Sequence, residues 1–213
     1  MKKILITQRI DFINNYSEVR ESLDRELPSL VFQLGYLPIP LTNMFIDSKS
    51  CQSTNLSDHS GLAEFLNKIN PDGLVLSGGN DIGQYQVRDI TEQLLLEWAE
   101  NKNIPVLGIC RGMQLMAVRS GCKLVRVEGH VKAYNKLISI KKGEKFPQEI
   151  KCFHNWGIKN CPKDFSVLAR THDGFVEAFK HSSLRWEGWM WHPERDKPFN
   201  DINKNRIENL FGS

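Results

Sequence analysis

Cys110 sits at the centre of the stretch Ile104-Pro105-Val106-Leu107-Gly108-Ile109-Cys110-Arg111-Gly112-Met113-Gln114-Leu115-Met116-Ala117, which reads as strand, sharp turn and helix. Gly108 and Gly112 stand two residues to either side, where side chains would obstruct so tight a turn. This is the pattern of a nucleophile elbow with sulfur in place of a serine oxygen: the turn exposes the nucleophile above a sheet, at a helix N-terminus that suits an anion. A cysteine nucleophile needs a base and the base an orienting group. Trp191-His192-Pro193-Glu194 offers both, because proline pushes His192 into extended backbone and alternate residues then share a side, so that Glu194 reaches the imidazole. The third requirement, donors for a developing oxyanion, is met by the backbone N–H of Arg111 and that of Gly79 in Ser77-Gly78-Gly79. Together these residues spell nucleophilic attack on an acyl carbon, with a covalent intermediate on sulfur and no metal or cofactor.

The elements that must position them alternate through the first 120 residues as in a parallel α/β chain. Residues 3–7 form a strand, 17–34 a helix divided or kinked at Pro28, and 37–41 a second strand whose prolines favour an edge. Residues 42–57 are a polar loop, 58–69 a helix, 70–73 a turn and 74–76 a buried strand that runs into the paired glycines. A helix over 91–101 precedes the elbow. After Gly121 the pattern changes to short strands at 123–127, 137–140, 149–153, 166–169, 175–180 and 186–191, most of them antiparallel additions, with 129–134 a loop and 203–211 a terminal helix.

The chain has 213 residues, enough for one domain with a full core. Its composition, 40% hydrophobic and 25% charged, is that of a soluble globular protein, and no apolar run approaches a membrane span. The N-terminus turns polar at Gln8-Arg9, unlike a signal peptide, so a cytoplasmic location is expected. Five cysteines, Cys51, Cys110, Cys122, Cys152 and Cys161, lack CxxC spacing and read as reduced thiols, with no metal site. A net charge of +3 is too small to point to nucleic acid. Local cations still suit an anionic small molecule: Arg9, His130, Lys132 and Tyr134 are the candidates for holding an anionic leaving group, while Trp156, Trp186 and Trp189 suit packing better than base stacking.

Leu76-Ser77-Gly78-Gly79, Gly108-Ile109-Cys110-Arg111-Gly112-Met113-Gln114-Leu115 and Trp191-His192-Pro193-Glu194 resemble the motifs of class I glutamine amidotransferases. Within that superfamily Pro40, Asp173-Gly174-Phe175-Val176-Glu177-Ala178 and His154-Asn155 resemble the free-standing γ-glutamyl hydrolase branch. The resemblance spans nearly the whole chain. It implies a flavodoxin-like α/β fold, a central mostly parallel sheet flanked by helices with added antiparallel strands, in a single domain over residues 1–213. It also implies a Cys110-His192-Glu194 triad, an oxyanion hole at Gly79 and Arg111, and a thioester on the γ-glutamyl group of a small-molecule, nucleotide-linked substrate. Gln114, His154, Asn155 and Asn80 would line the substrate site. The branch's Asn-Ser-x-His-His-Gln stretch is replaced here by Lys151-Cys152-Phe153-His154-Asn155-Trp156, of which His154 alone transfers cleanly. Two rival functions share the fold: a glutaminase subunit that hands ammonia to a separate synthase, and a non-catalytic thiol sensor using Cys110. The first lacks a fused synthase domain, and the His192-Pro193-Glu194 unit argues against the second.

Overall fold

A computed structural model describes residues 1–46 and 53–212. Cys51 and the middle of the 42–57 loop lie outside the described residues. In chain order the elements are β1 (Lys3–Thr7), β2 (Arg9–Ile13), β3 (Glu18–Ser22), α1 (Glu26–Gln33), β4 (Leu37–Leu41), α2 (Ser60–Ile69), β5 (Gly73–Leu76), α3 (Gln86–Asn101), β6 (Val106–Ile109) and α4 (Arg111–Arg119). There follow β7 (Val125–Arg126), β8 (Val131–Ser139), β9 (Glu149–Phe153), β10 (Trp156–Gly157), β11 (Phe165–Thr171), β12 (Val176–His181), β13 (Trp186–Trp189) and α5 (Asp201–Gly212).

One nine-stranded sheet, in the order β4-β1-β5-β6-β13-β12-β11-β8-β9, carries the fold. Its first five strands are parallel, and from β13 onward every neighbour is antiparallel. Strand alternation builds two cores from one sheet. Leu5, Leu74, Leu76 and Val106 meet α2, α3 and α4 on one face. Ile4, Ile6, Val75, Leu107 and Ile109 meet α1 and α5 on the other. With both faces covered, the central strands β5 and β6 are continuous apolar runs, which is why residues 74–76 and 106–109 were legible as buried strands. β4, with its two prolines, takes the edge as expected. No helix among the described residues is long and apolar enough to cross a membrane.

Several expectations change. The helix over 17–34 is two elements: residues 18–22 pair with β2 as an antiparallel hairpin, and only α1 is helical. The hairpin pairs Asp11 with Arg20 and Phe12 with Val19, a period-two pattern that the charged sequence hid. Pro28 stands in the first turn of α1, where a missing N–H costs nothing, so no kink results. Residues 129–134 are not a loop throughout, since β8 starts at Val131 with a bulge at Lys132, whose φ is 54°. The strand over 186–191 ends at Trp189; His192 is extended (φ −107°, ψ 92°) but Pro193–Arg195 is a 3₁₀ turn.

Candidate functional site

Three adjacent parallel strands, β5, β6 and β13, deliver the site from their C-terminal ends, where open α/β sheets place their ligands. Cys110 follows the middle one. Its backbone (φ 51°, ψ −103°) lies far outside the ordinary regions, and such strain clusters at functional positions. The turn is held by Cys110 N–H donating to Trp189 O (2.7 Å) and Gln114 N–H donating to Cys110 O (3.0 Å). Gly112 makes the turn possible, because a Cβ there would lie 2.2 Å from Leu76 O. The Cys110 amide is spent on the ladder with β13, and the next amide, that of Arg111, opens α4 in its first turn, where helix amides have no intrahelical partner.

His192 leaves β13 in extended backbone, and the 3₁₀ turn carries Glu194 back so that its Oε1 lies 2.6 Å from His192 Nδ1. Both are buried, at 7% and 2% exposure. Burial disfavours the imidazolium, but the nearby Cys110 sulfur and the Glu194 carboxylate outweigh it and raise His192 to about 10. Phe153 packs edge-on against the imidazole at 6.0 Å, and the Arg195 guanidinium lies 4.3 Å above Phe153. Gly78 lets the imidazole approach the β5 turn: a Cβ there would come within 2.5 Å of His192 Cε1.

Beneath the Ser77–Asn80 turn lies a buried ion network that the motifs did not reveal. Arg88 (0% exposed) donates from Nη2 to Ser77 O (2.9 Å) and Gly78 O (3.0 Å), and from Nε to Glu92 Oε1 (3.0 Å). Glu92 also accepts from Thr7 Oγ1 (2.7 Å), which in turn accepts the Ser77 N–H (3.0 Å). The Arg111 side chain turns away from the cleft to pair with Glu92 and Asp89. Burial and the neighbouring Arg88 pull the Arg111 guanidinium down to about 9. The signal was an Arg and a Glu four apart on α3, but α3 was expected to begin at residue 91, which left Arg88 outside it.

Of the other sequence-predicted site residues, Arg9 lines the cleft with Gly78, Gly79, His192, Glu194 and Arg195 in a cavity of about 300 Å³, which opens beside one of about 380 Å³ that contains Cys110. Asn80 borders the second cavity, yet both ends of its amide are committed to Ile10: Oδ1 accepts the N–H at 2.9 Å and Nδ2 donates to the carbonyl at 2.8 Å. It thereby anchors the β2–β3 hairpin, which overhangs the cleft through Arg9, Asp11 and Ser22. Gln114 is buried and donates to Trp156 O (3.0 Å), the same carbonyl that takes His154 Nδ1 (2.9 Å). Asn155 and Lys132 are exposed and border neither cavity. His130 is 1% exposed and faces inward, with Nε2 2.9 Å from Asp173 Oδ2 and Nδ1 3.2 Å from His154 Nε2, so it does not present a cation to the cleft. Burial opposes its charge, but Cys152, Glu177 and Asp173 raise it to about 10, while burial and His130 lower His154 to about 4. Arg195, which sequence reasoning passed over, takes the position facing the cleft.

A sequence model described as Peptidase C26 matches residues 54–194. The γ-glutamyl-CDP-amidate hydrolase of Campylobacter jejuni is 30% identical, with 92% of each chain covered. The glutamine-hydrolysing GMP synthase subunit of Thermococcus kodakarensis is 34% identical over 62% of this chain and 70% of its own. A glutamine amidotransferase from Thermotoga maritima superposes with a TM-score of 0.69 at 14% identity, covering 100% of this chain and 99% of that one, a likeness of fold. With one relative aligned along almost its entire length and a family match that spans the β5 turn, the elbow and the His-Pro-Glu segment, the chain belongs to the Peptidase C26 family of class I glutamine amidotransferase-like proteins.

Proposed function

We propose that this protein is a cysteine-dependent γ-glutamyl hydrolase, with γ-glutamyl-CDP-amidate as its substrate and glutamate and cytidine diphosphoramidate as its products. The observation that carries the hydrolase reading is the convergence of Cys110, His192 with Glu194, and the Ser77–Gly79 turn at the ends of three neighbouring strands. In the proposed cycle the Cys110 sulfur, deprotonated by His192, attacks the γ-carbonyl, and the oxyanion is held by the Arg111 and Gly79 amides. His192 then protonates the departing nitrogen. A water activated by the same imidazole attacks the thioester, expels the sulfur and releases glutamate. Glu194 orients the ring throughout.

The nucleotide-linked leaving group is favoured by the near full-length similarity to the Campylobacter protein and by the cations Arg9 and Arg195 on the cleft wall. Contacts to a remote diphosphate become positioning at the scissile bond, so truncated substrates should lose kcat as well as affinity. The similarity to the Thermococcus GMP synthase subunit favours a second reading, a glutaminase that passes ammonia to a synthase chain. Measuring kcat/KM for γ-glutamyl-CDP-amidate, glutamine and γ-glutamyl-γ-aminobutyrate on one preparation separates them. The nucleotide substrate should be preferred by far; preference for glutamine, raised by an added synthase, would establish the second reading.

A further inference from the structure

Behind the cleft, four side chains from separate elements converge where no step of the proposed reaction needs them. His130 precedes β8, Cys152 is in β9, His154 follows β9 and Glu177 is in β12. All four are buried, and one ligand atom from each lies within 4.8 Å of the others. Their outer hydrogen bonds fix which atoms point inward. His130 Nε2 meets Asp173 Oδ2 at 2.9 Å and His154 Nδ1 meets Trp156 O at 2.9 Å, both partners being acceptors, so each ring carries a hydrogen outward. The nitrogens left inside, His130 Nδ1 and His154 Nε2, face each other at 3.2 Å. Glu177 Oε1 lies 3.5 Å from the first and 3.6 Å from the second. Neither oxygen of that fully buried carboxylate has a hydrogen-bond partner among the described residues. Two facing imidazole nitrogens and an unpartnered carboxylate around one point are balanced by a cation between them, either the proton of the His130–His154 hydrogen bond or a metal ion.

We propose that this point is a zinc site, with His130 Nδ1, His154 Nε2, Cys152 Sγ and one Glu177 oxygen as tetrahedral ligands. Bonds of roughly 2.0 to 2.3 Å imply ligand-to-ligand edges of about 3.3 to 3.8 Å, and three of the edges stand near that spacing already. The donor set of one thiolate, two imidazoles and a carboxylate suits zinc over magnesium or calcium, which want oxygen. Asp173 and the Trp156 carbonyl are the outer partners that metal-bound histidines ordinarily have. With all four positions taken by protein the site is structural. It ties β9 to β12 and steadies the carbonyl that Gln114 shares, so it goes beyond the hydrolase reading and does not depend on it. The competing occupant is a single proton shared between the histidines.

The test uses untagged full-length protein carrying Cys110→Ala, so that the elbow sulfur cannot bind metal. After chelation, zinc addition and desalting, elemental analysis should find one zinc per chain, with a melting temperature several degrees above that of the chelated protein. Cobalt(II) in place of zinc should give the intense visible bands of a tetrahedral ion and a sulfur-to-cobalt charge-transfer band. That band should vanish in Cys152→Ser and persist in Cys122→Ser. Zinc below a tenth of an equivalent, with melting indifferent to the metal, would assign the cluster to a shared proton and overturn the proposal. So would weak octahedral cobalt bands or a charge-transfer band that survives Cys152→Ser. Stoichiometry and melting are read on the Cys110→Ala parent, so the outcome stands even if Cys152→Ser fails to fold.

Discussion

Two partners of different kinds raise the pKa of His192, and removing one should show in its titration. Burial alone would hold it below its ordinary 6.5, so the rise to about 10 depends on the Cys110 sulfur and Glu194. In Cys110→Ala the His192 ring protons, followed by NMR, should therefore titrate at distinctly lower pH than in the parent. An unchanged midpoint would mean that the sulfur does not face the imidazole. The sign for stability follows: a raised pKa stabilises the fold fully below about 6.5, and that contribution disappears as pH climbs through about 10. Urea midpoints of the wild type should fall across that window, and those of Cys110→Ala should fall earlier. In the proposed cycle Cys110 is the nucleophile and Glu194 orients its base, so Cys110→Ala should lose roughly four orders of magnitude or more of turnover, and Glu194→Gln less. Equal activity of Glu194→Gln and wild type on γ-glutamyl-CDP-amidate would remove that carboxylate from the site. The placement of these residues was legible because local order encodes it: the glycine bracket shapes the Cys110 turn, and the His-Pro-Glu step sets His192 against Glu194. His130 was misplaced because its partners Asp173, Cys152 and Glu177 are distant in sequence, and a lone histidine beside a lysine reads as surface charge.

At the scale of elements, the β5 turn depends on α3 through Arg88 and Glu92. Glu92→Gln leaves Arg88 and Arg111 buried without their shared charge, and should cost about 3 to 5 kcal/mol in chemical denaturation. Arg88→Met should act differently: with the guanidinium bonds to the Ser77 and Gly78 carbonyls gone, Gly79 drifts, and kcat should fall roughly a hundredfold with KM little changed. A purely structural Arg88 would lower stability and spare kcat. Gly112→Ala, driven against Leu76 O, should destabilise by at least about 1 to 3 kcal/mol, readable in the melting temperature. Elements with two buried faces were easy to foresee. The β2–β3 hairpin was not, because its strands are short and carry charges and the exposed Phe12, so neither period stood out until pairing with each other decided the matter.

Across the whole molecule the sheet is two sheets joined at β13, parallel toward β6 and antiparallel toward β12. The first half was readable from strand and helix alternation; the order of the second half was not, since antiparallel partners are chosen by long-range register. Arg206 of α5 clamps that junction from one face, donating to both oxygens of Glu187 in β13 (2.9 Å each) and to Glu144 (2.7 Å). Arg206→Ala should lower stability by about 1.5 to 3 kcal/mol, measured by urea titration. The junction also decides how Cys110 and His192 are spaced. Cys110 and the strand that leads to His192 are neighbours in one ladder, stitched by the bond from the Cys110 amide to Trp189 O. Amide hydrogen exchange at Cys110 should therefore proceed only through global unfolding, as slowly as at Leu107 or Val75, whereas the amides of the β2–β3 hairpin exchange through local opening. In that ranking the Cys110 sulfur is anchored in the slowest-opening part of the chain, and the overhanging hairpin is the part of the cleft wall that opens first.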